Sequence, residues 1–100
     1  MSNITVKFAP VSIMGQFYFG TDQAALAVAH SASYTDGPIF VTELSGEDAA
    51  EEAFDLSNNP YRQDEREEVY GRGRSVSVGD VVIVDDAEYL CASSGWLLLV

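Results

Sequence analysis

A chain of 100 residues with sixteen Asp and Glu against five Lys and Arg carries a net charge of −11. Such a surface repels nucleic acid and anionic membranes and attracts basic protein surfaces, so direct nucleic-acid binding and membrane attachment are not expected. With 47% hydrophobic residues the chain has the material for one core, which excludes global disorder and leads us to expect a single domain over residues 1–100.

The opening "MSNITVKFAP" has neither the basic nor the long apolar region of a signal peptide, and no apolar run reaches the ~18 residues of a membrane span. A lone cysteine cannot form an internal disulfide, which fits a reducing cytoplasm. In "ITVKFAPV", Ile4, Val6 and Phe8 alternate with Thr5 and Lys7, the pattern of a half-buried strand ended by Pro10. "SIMGQFYFG" reads as a second strand or an irregular core segment. Thr21 then stands at an N-cap position, and "DQAALAVAHSAS" predicts an alanine-rich helix that lies close against a sheet. "YTDGP" carries turn chemistry that stops it, and "IFVTEL" predicts a central strand.

Ser45 opens the next helix, with Asp48 in the position of a weak capping box. Over "GEDAAEEAFDLSNN", a rotation of 100° per residue puts Glu47, Asp48, Glu51, Glu52 and Asp55 within an arc of about 140°. Ala49, Ala50, Ala53, Phe54 and Leu56 take the other side, so Phe54 is expected in the core. "YRQDEREEVYGRGR" reads as a charged loop with room for a helical turn around "QDEREE". "SVSVGDVVIV" and "EYLCA" predict two strands joined by "DDA", and "WLLLV" a last strand after "SSG". The resulting order, β(β)αβαβββ, predicts an α+β fold with two helices and a mainly antiparallel sheet.

Charge is concentrated in the middle of the chain. Residues 43–68 hold ten carboxylates against Arg62 and Arg66, net −8, whereas residues 69–79 hold only Arg72 and Arg74. Successive carboxylates at i and i+4 on a helix lie roughly 6 Å apart, on the order of the spacing between phosphates along a strand. Two readings follow for Glu47, Asp48, Glu51, Glu52, Asp55, Asp64, Glu65, Glu67 and Glu68. They form either a solvated face that confers solubility or a face that imitates nucleic acid on a basic partner. Arg72 and Arg74, on glycine-spaced backbone ahead of a strand, balance nearby carboxylates or, with Trp96, form an alternative partner-binding set on the C-terminal hairpin.

Chemistry-bearing motifs are absent. His30 stands near a helix end, where it can bond the last carbonyls, and Cys91 reads as a small buried hydrophobe. These two residues cannot make a zinc site, and there is no HExxH or CxxC. Asp80, Asp85, Asp86 and Glu88 lack the spacing of a calcium loop, and "GRG" lacks the lysine of a phosphate loop. We therefore expect no catalytic residues, no metal and no cofactor.

The pieces "AFDLSNNP", "SVSVGDVV" and "YLCASSGW", spread over residues 53–96, resemble short proteins of bacteriophages and other mobile elements. Their second half runs from an A-F-x-L-[ST]-N-x-P segment through S-x-S-V-G-D-V-V to Y-L-C-x-S-x-G-W, and the ending is distantly similar to YodL-like domains. Ser94 departs from the aromatic residue that usually precedes the Gly-Trp pair. The resemblance implies a mobile-element setting and no particular activity. With the charge, it leads us to expect a non-enzymatic inhibitor that engages a basic surface of a host nucleic-acid-binding, defence-type protein. The alternative is an accessory interaction module that docks through the hairpin.

Overall fold

The computed structural model describes residues 1–10, 29, 33–92 and 95–99. Five strands form one antiparallel sheet in the order β2-β1-β3-β4-β5. They are β1 (Ser2–Phe8), β2 (Thr35–Thr42), β3 (Val81–Val84), β4 (Ala87–Ala92) and β5 (Gly95–Leu99). Between β2 and β3 lie α1 (Gly46–Asn58), a 3-10 turn (Pro60–Arg62) and α2 (Gln63–Tyr70). The fold is α+β, as the mixture of strand and helix periodicities predicts. The expected strand "SIMGQFYFG" lies outside the described residues. So does the expected helix "DQAALAVAHSAS" except for Ala29, helical and buried, and Ser33, exposed and non-helical.

Period-2 alternation assigns the two faces of the sheet. On one face Ile4, Val6, Val82, Val84 and Cys91 pack against Ala49, Ala50, Ala53 and Leu56 of α1. Three alanines in that contact let the helix backbone come close to the strands. Phe54 is half-buried at the margin of this core rather than inside it. Its position, one residue beyond Ala53, rotates it to the side of α1 where it lines a depression with Cys91, Ala92 and Trp96. On the other face Val81 and Leu90 pack with Ala9 and Ala29, flanked by Tyr34, Ile83, Leu97 and Leu99.

Among the described strands, the segment expected at the centre of the sheet lies at its edge. β2 has Ile39 75% and Val41 57% exposed, and no strand among the described residues pairs with its outer side. The "TDGP" expected as a turn is part of β2 and makes a bulge there. Gly37 and Pro38 together oppose the single residue Val6. Gly37 is required: a Cβ there would lie 2.7 Å from Cε2 of Phe8 and 2.8 Å from the Val6 carbonyl oxygen. Pro38 has no N–H to offer a further strand, which suits an edge. The middle strand is β3, whose "VVIV" is apolar on both faces.

Ser45 occupies the N-cap of α1, but its side chain makes no capping bond, so the expected capping box is not formed. The turn into the helix uses Gly46 at φ +57° instead. The C-terminal end is held by its own side chains. Ser57 Oγ accepts from the Val76 N–H at 3.0 Å, and Asn58 Nδ2 donates to the Phe54 and Val76 carbonyls at 2.9 Å each. "SNN" thus both ends α1 and fastens it to the approach to β3.

The helical turn allowed around "QDEREE" is an eight-residue helix, α2, within the stretch otherwise read as a charged loop. Its stop is Gly71 at φ +54°, and its last residue, Tyr70, is buried with its hydroxyl donating to the Ala53 carbonyl at 2.9 Å. With Val69 packed on the same core, this anchor holds a helix that is otherwise polar. β3 starts at Val81 and not at Ser75, because Asp80 turns the preceding backbone back on itself: its side chain accepts from Ser77 N–H and its N–H bonds to the Ser77 carbonyl.

Candidate functional site

The exposed side of α1 and α2 carries the expected carboxylates, and the chain's cations divide them into two groups. Arg62, placed by the reversal at Pro60, is gripped by three: Glu52, Asp55 at 2.9 Å and Glu65 at 2.7 Å. These hydrogen bonds, Glu65 first, raise the Arg62 pKa further above its ordinary value. The same contact holds the Glu65 carboxyl below the usual carboxylate range. Glu47, Asp48, Asp64, Glu67 and Glu68 are exposed and, among the described residues, form no ion pair.

Arg66 is not a counter-ion in this surface. Its guanidinium donates to the carbonyls of Ser57 (3.0 Å), Gly71 (3.2 Å) and Gly73 (2.8 Å), stitching the end of α1 to the loop after α2. Arg74 is equally committed. It forms a fork with Asp80, stacks at 4.5 Å over the Phe8 ring and donates to the Ala9 carbonyl. Lys7 pairs with Asp36 across β1 and β2. Arg72 is exposed on the turn after α2 and makes no ion pair among the described residues. Of the two arginines singled out in the sequence, Arg74 is half-buried and engaged within the fold, and Arg72 faces solvent.

Trp96 does not stand apart from the acidic face. The indole Nε1 donates to Oε2 of Glu51 at 2.8 Å, so β5 meets α1 at the carboxylate rim. Phe54, Cys91, Ala92 and Gly95 complete a depression of about 200 Å³ around this contact. Of the alternative set Arg72, Arg74 and Trp96, only Trp96 is in contact with the acidic face.

Cys91 is buried, as expected, and burial pushes its thiol up to about 12, so it stays protonated and unreactive at neutral pH. His30 lies outside the described residues. Among the described residues no three His, Cys, Asp or Glu side chains are placed to hold a metal ion, and the Asp80–Glu88 group is dispersed. Asp80 is enclosed with Arg74, whereas Asp85 accepts from the Asn3 N–H at 2.9 Å in the β3–β4 turn. No described helix is long and apolar enough to cross a membrane.

Sequence reasoning missed Arg62 as a hub and Asp80 as a buried acid. The spacing of Arg62 and Glu65, three apart on one helical turn, was a readable signal for part of the first. Nothing local announces the second. Tyr61, 96% exposed beside this surface on the Pro60 turn, was also passed over. No protein-family model, curated protein or solved structure matches the chain.

Proposed function

We propose that this chain is a non-enzymatic protein-binding domain. It docks the carboxylate surface of α1 and α2 on a basic, nucleic-acid-binding surface of another protein and so keeps nucleic acid from it. The observation that carries this reading is the use of the cations. Four of the five basic residues are engaged within the fold, while Glu47, Asp48, Asp64, Glu67 and Glu68 on the two helices stay exposed with no ion-pair partner among the described residues. The resemblance of residues 53–96 to mobile-element proteins supports a host cytoplasm as the setting and a defence-type protein as the target.

Affinity capture from a host lysate, followed by direct binding assays on each captured protein, tests the proposal. Binding should weaken as salt rises, since the Debye length shrinks from ~10 Å at 0.1 M to ~3 Å at 1 M. DNA or RNA should compete, and the reversal Glu47→Lys, Asp48→Lys, Glu68→Lys should abolish binding while the fold persists. A partner indifferent to salt, to saturating nucleic acid and to the reversal would sink the reading.

A second reading, an accessory module that docks through the C-terminal hairpin, draws on the half-buried Trp96. It predicts loss of binding on Trp96→Ala with weak salt dependence.

A further inference from the structure

We infer that the depression between Glu51, Phe54 and Trp96 is a receptor for one arginine side chain of the protein partner. The inference rests on the protein-binding reading above and names the contact that gives it specificity. At about 200 Å³ the depression is smaller than the pockets that take cofactors or drug-sized ligands, and it suits a single side chain. Two aromatic rings and a carboxylate define its chemistry. Cation–π attraction and a charge-assisted hydrogen bond act there on the same group, and a planar guanidinium answers both better than an ammonium does.

This protein already solves that recognition problem once within its own fold. Arg74 lies over the Phe8 ring at 4.5 Å while Asp80 takes its guanidinium in a fork. Glu51 and Trp96 repeat the pairing of ring and carboxylate, but no basic residue forms an ion pair with Glu51 among the described residues. The Trp96 N–H engages one oxygen of Glu51 and fixes the carboxylate, and the second oxygen accepts from the incoming group. A Cβ on Gly95, which also lines the depression, would meet nothing within 4 Å among the described residues. Charge complementarity selects the occupant. The chain carries −11, and a second carboxylate-lined depression, with Asp48 and Glu52 in its wall, shares Glu51 with the first.

Trp96 is the chain's one tryptophan, so its emission and its indole N–H resonance report this depression alone. The test titrates the full chain with three capped tripeptides, Gly-Arg-Gly and its lysine and citrulline counterparts, and separately with octalysine. The arginine peptide should shift both signals saturably, with a Kd of about 1 mM for one side chain. The neutral citrulline peptide should leave them unmoved, and lysine should bind more weakly. Glu51→Gln, on an exposed helix position, should weaken the arginine peptide about tenfold, the loss of one charge-assisted contact, with an unchanged melting curve. Equal responses to arginine and citrulline, or to arginine and lysine, would overturn the inference. If octalysine shifts helix resonances in a salt-sensitive way while Trp96 stays silent to arginine, the receptor is wrong and the acidic-surface reading stands. If no basic peptide binds at all, both fall.

Discussion

Arg74 and Asp80 meet through both terminal guanidinium nitrogens and both carboxylate oxygens, at 2.6 Å in each case, with Asp80 0% exposed. The same carboxylate accepts from the Ala9 and Ser77 N–H groups at 2.8 Å, so one side chain ties together the end of β1, the approach to β3 and the turn that precedes it. Arg74→Ala would leave that acid buried and uncompensated. We expect a loss of about 3–5 kcal/mol in denaturant melts, and strong coupling to Asp80→Asn in a double-mutant cycle. A loss under about 1 kcal/mol would show that the pair is dispensable.

Gly37→Ala forces a Cβ against the Phe8 ring and the Val6 carbonyl at once. The ring can give way and the backbone oxygen cannot, so we expect a cost of about 1–3 kcal/mol. Hydrogen exchange should show the added opening in β1 and β2 and leave β4 and β5 as they are. Uniform loosening of all strands would argue against a local clash.

The Arg62 hub sets an acid limb. Glu65 titrates below its ordinary value in the folded chain because Arg62 bonds it, so the folded state binds fewer protons there than the unfolded one. Its stabilising effect is complete above the ordinary glutamate range near pH ~4.3 and is lost as pH falls through the lowered folded value. Glu65→Gln should therefore lower the melting temperature slightly at pH 7, flatten its dependence on pH below about 4.5 and match the parent at the acid end. An unchanged acid limb would remove Glu65 from the network.

Charge reversal at Glu52 and Asp55 should differ in kind from reversal at Glu47 and Asp48. The first pair holds Arg62, so lysine there sets cations against a guanidinium and costs about 1–2 kcal/mol of stability. The second pair has no ion-pair partner among the described residues, and lysine there should leave thermal melts within about 0.5 kcal/mol. Binding studies need the second kind of variant. Equal destabilisation by the two pairs would contradict the division of the surface.

Cys91 gives an alkaline counterpart. Its thiol is raised to about 12 by burial, against about 8.5 when unfolded, so the folded state holds its proton longer. The stability this contributes is present below about pH 8.5 and drains away as pH rises toward 12. At pH 9 iodoacetamide should label the thiol slowly in native protein and rapidly in denaturant. Equal rates would mean that the thiol is open to solvent.

Much of this architecture was legible because it is written in period. The 100° repeat separates Ala49, Ala53 and Leu56 from Glu47, Asp48 and Glu51, and the structure keeps that separation. Alternation in β1 and the apolar run of β3 declare their burial in the same way. What was hidden depends on contacts between distant residues. Asp80 looks like a charge on a strand until Ala9, seventy-one residues earlier, supplies its N–H. α2 looks like no more than one helical turn in a loop until Tyr70 finds Ala53. The position of β2 at the edge is a property of the sheet as a whole, and only Pro38 hinted at it. The junction of Trp96 with Glu51 joins segments that are forty-five residues apart.

The bulge at Gly37 and Pro38 has a consequence for how copies of this chain meet one another. An open strand with exposed Ile39 and Val41 would ordinarily template the addition of a neighbour, the first step of fibril growth. Pro38 interrupts the row of donors such a neighbour would need, and the two-against-one register bends the strand away from a flat template. The hydrophobic side chains of this margin are thereby kept from growing into an extended sheet, and Gly37→Ala, by straining the bulge, should raise thioflavin-positive aggregation as well as lower stability.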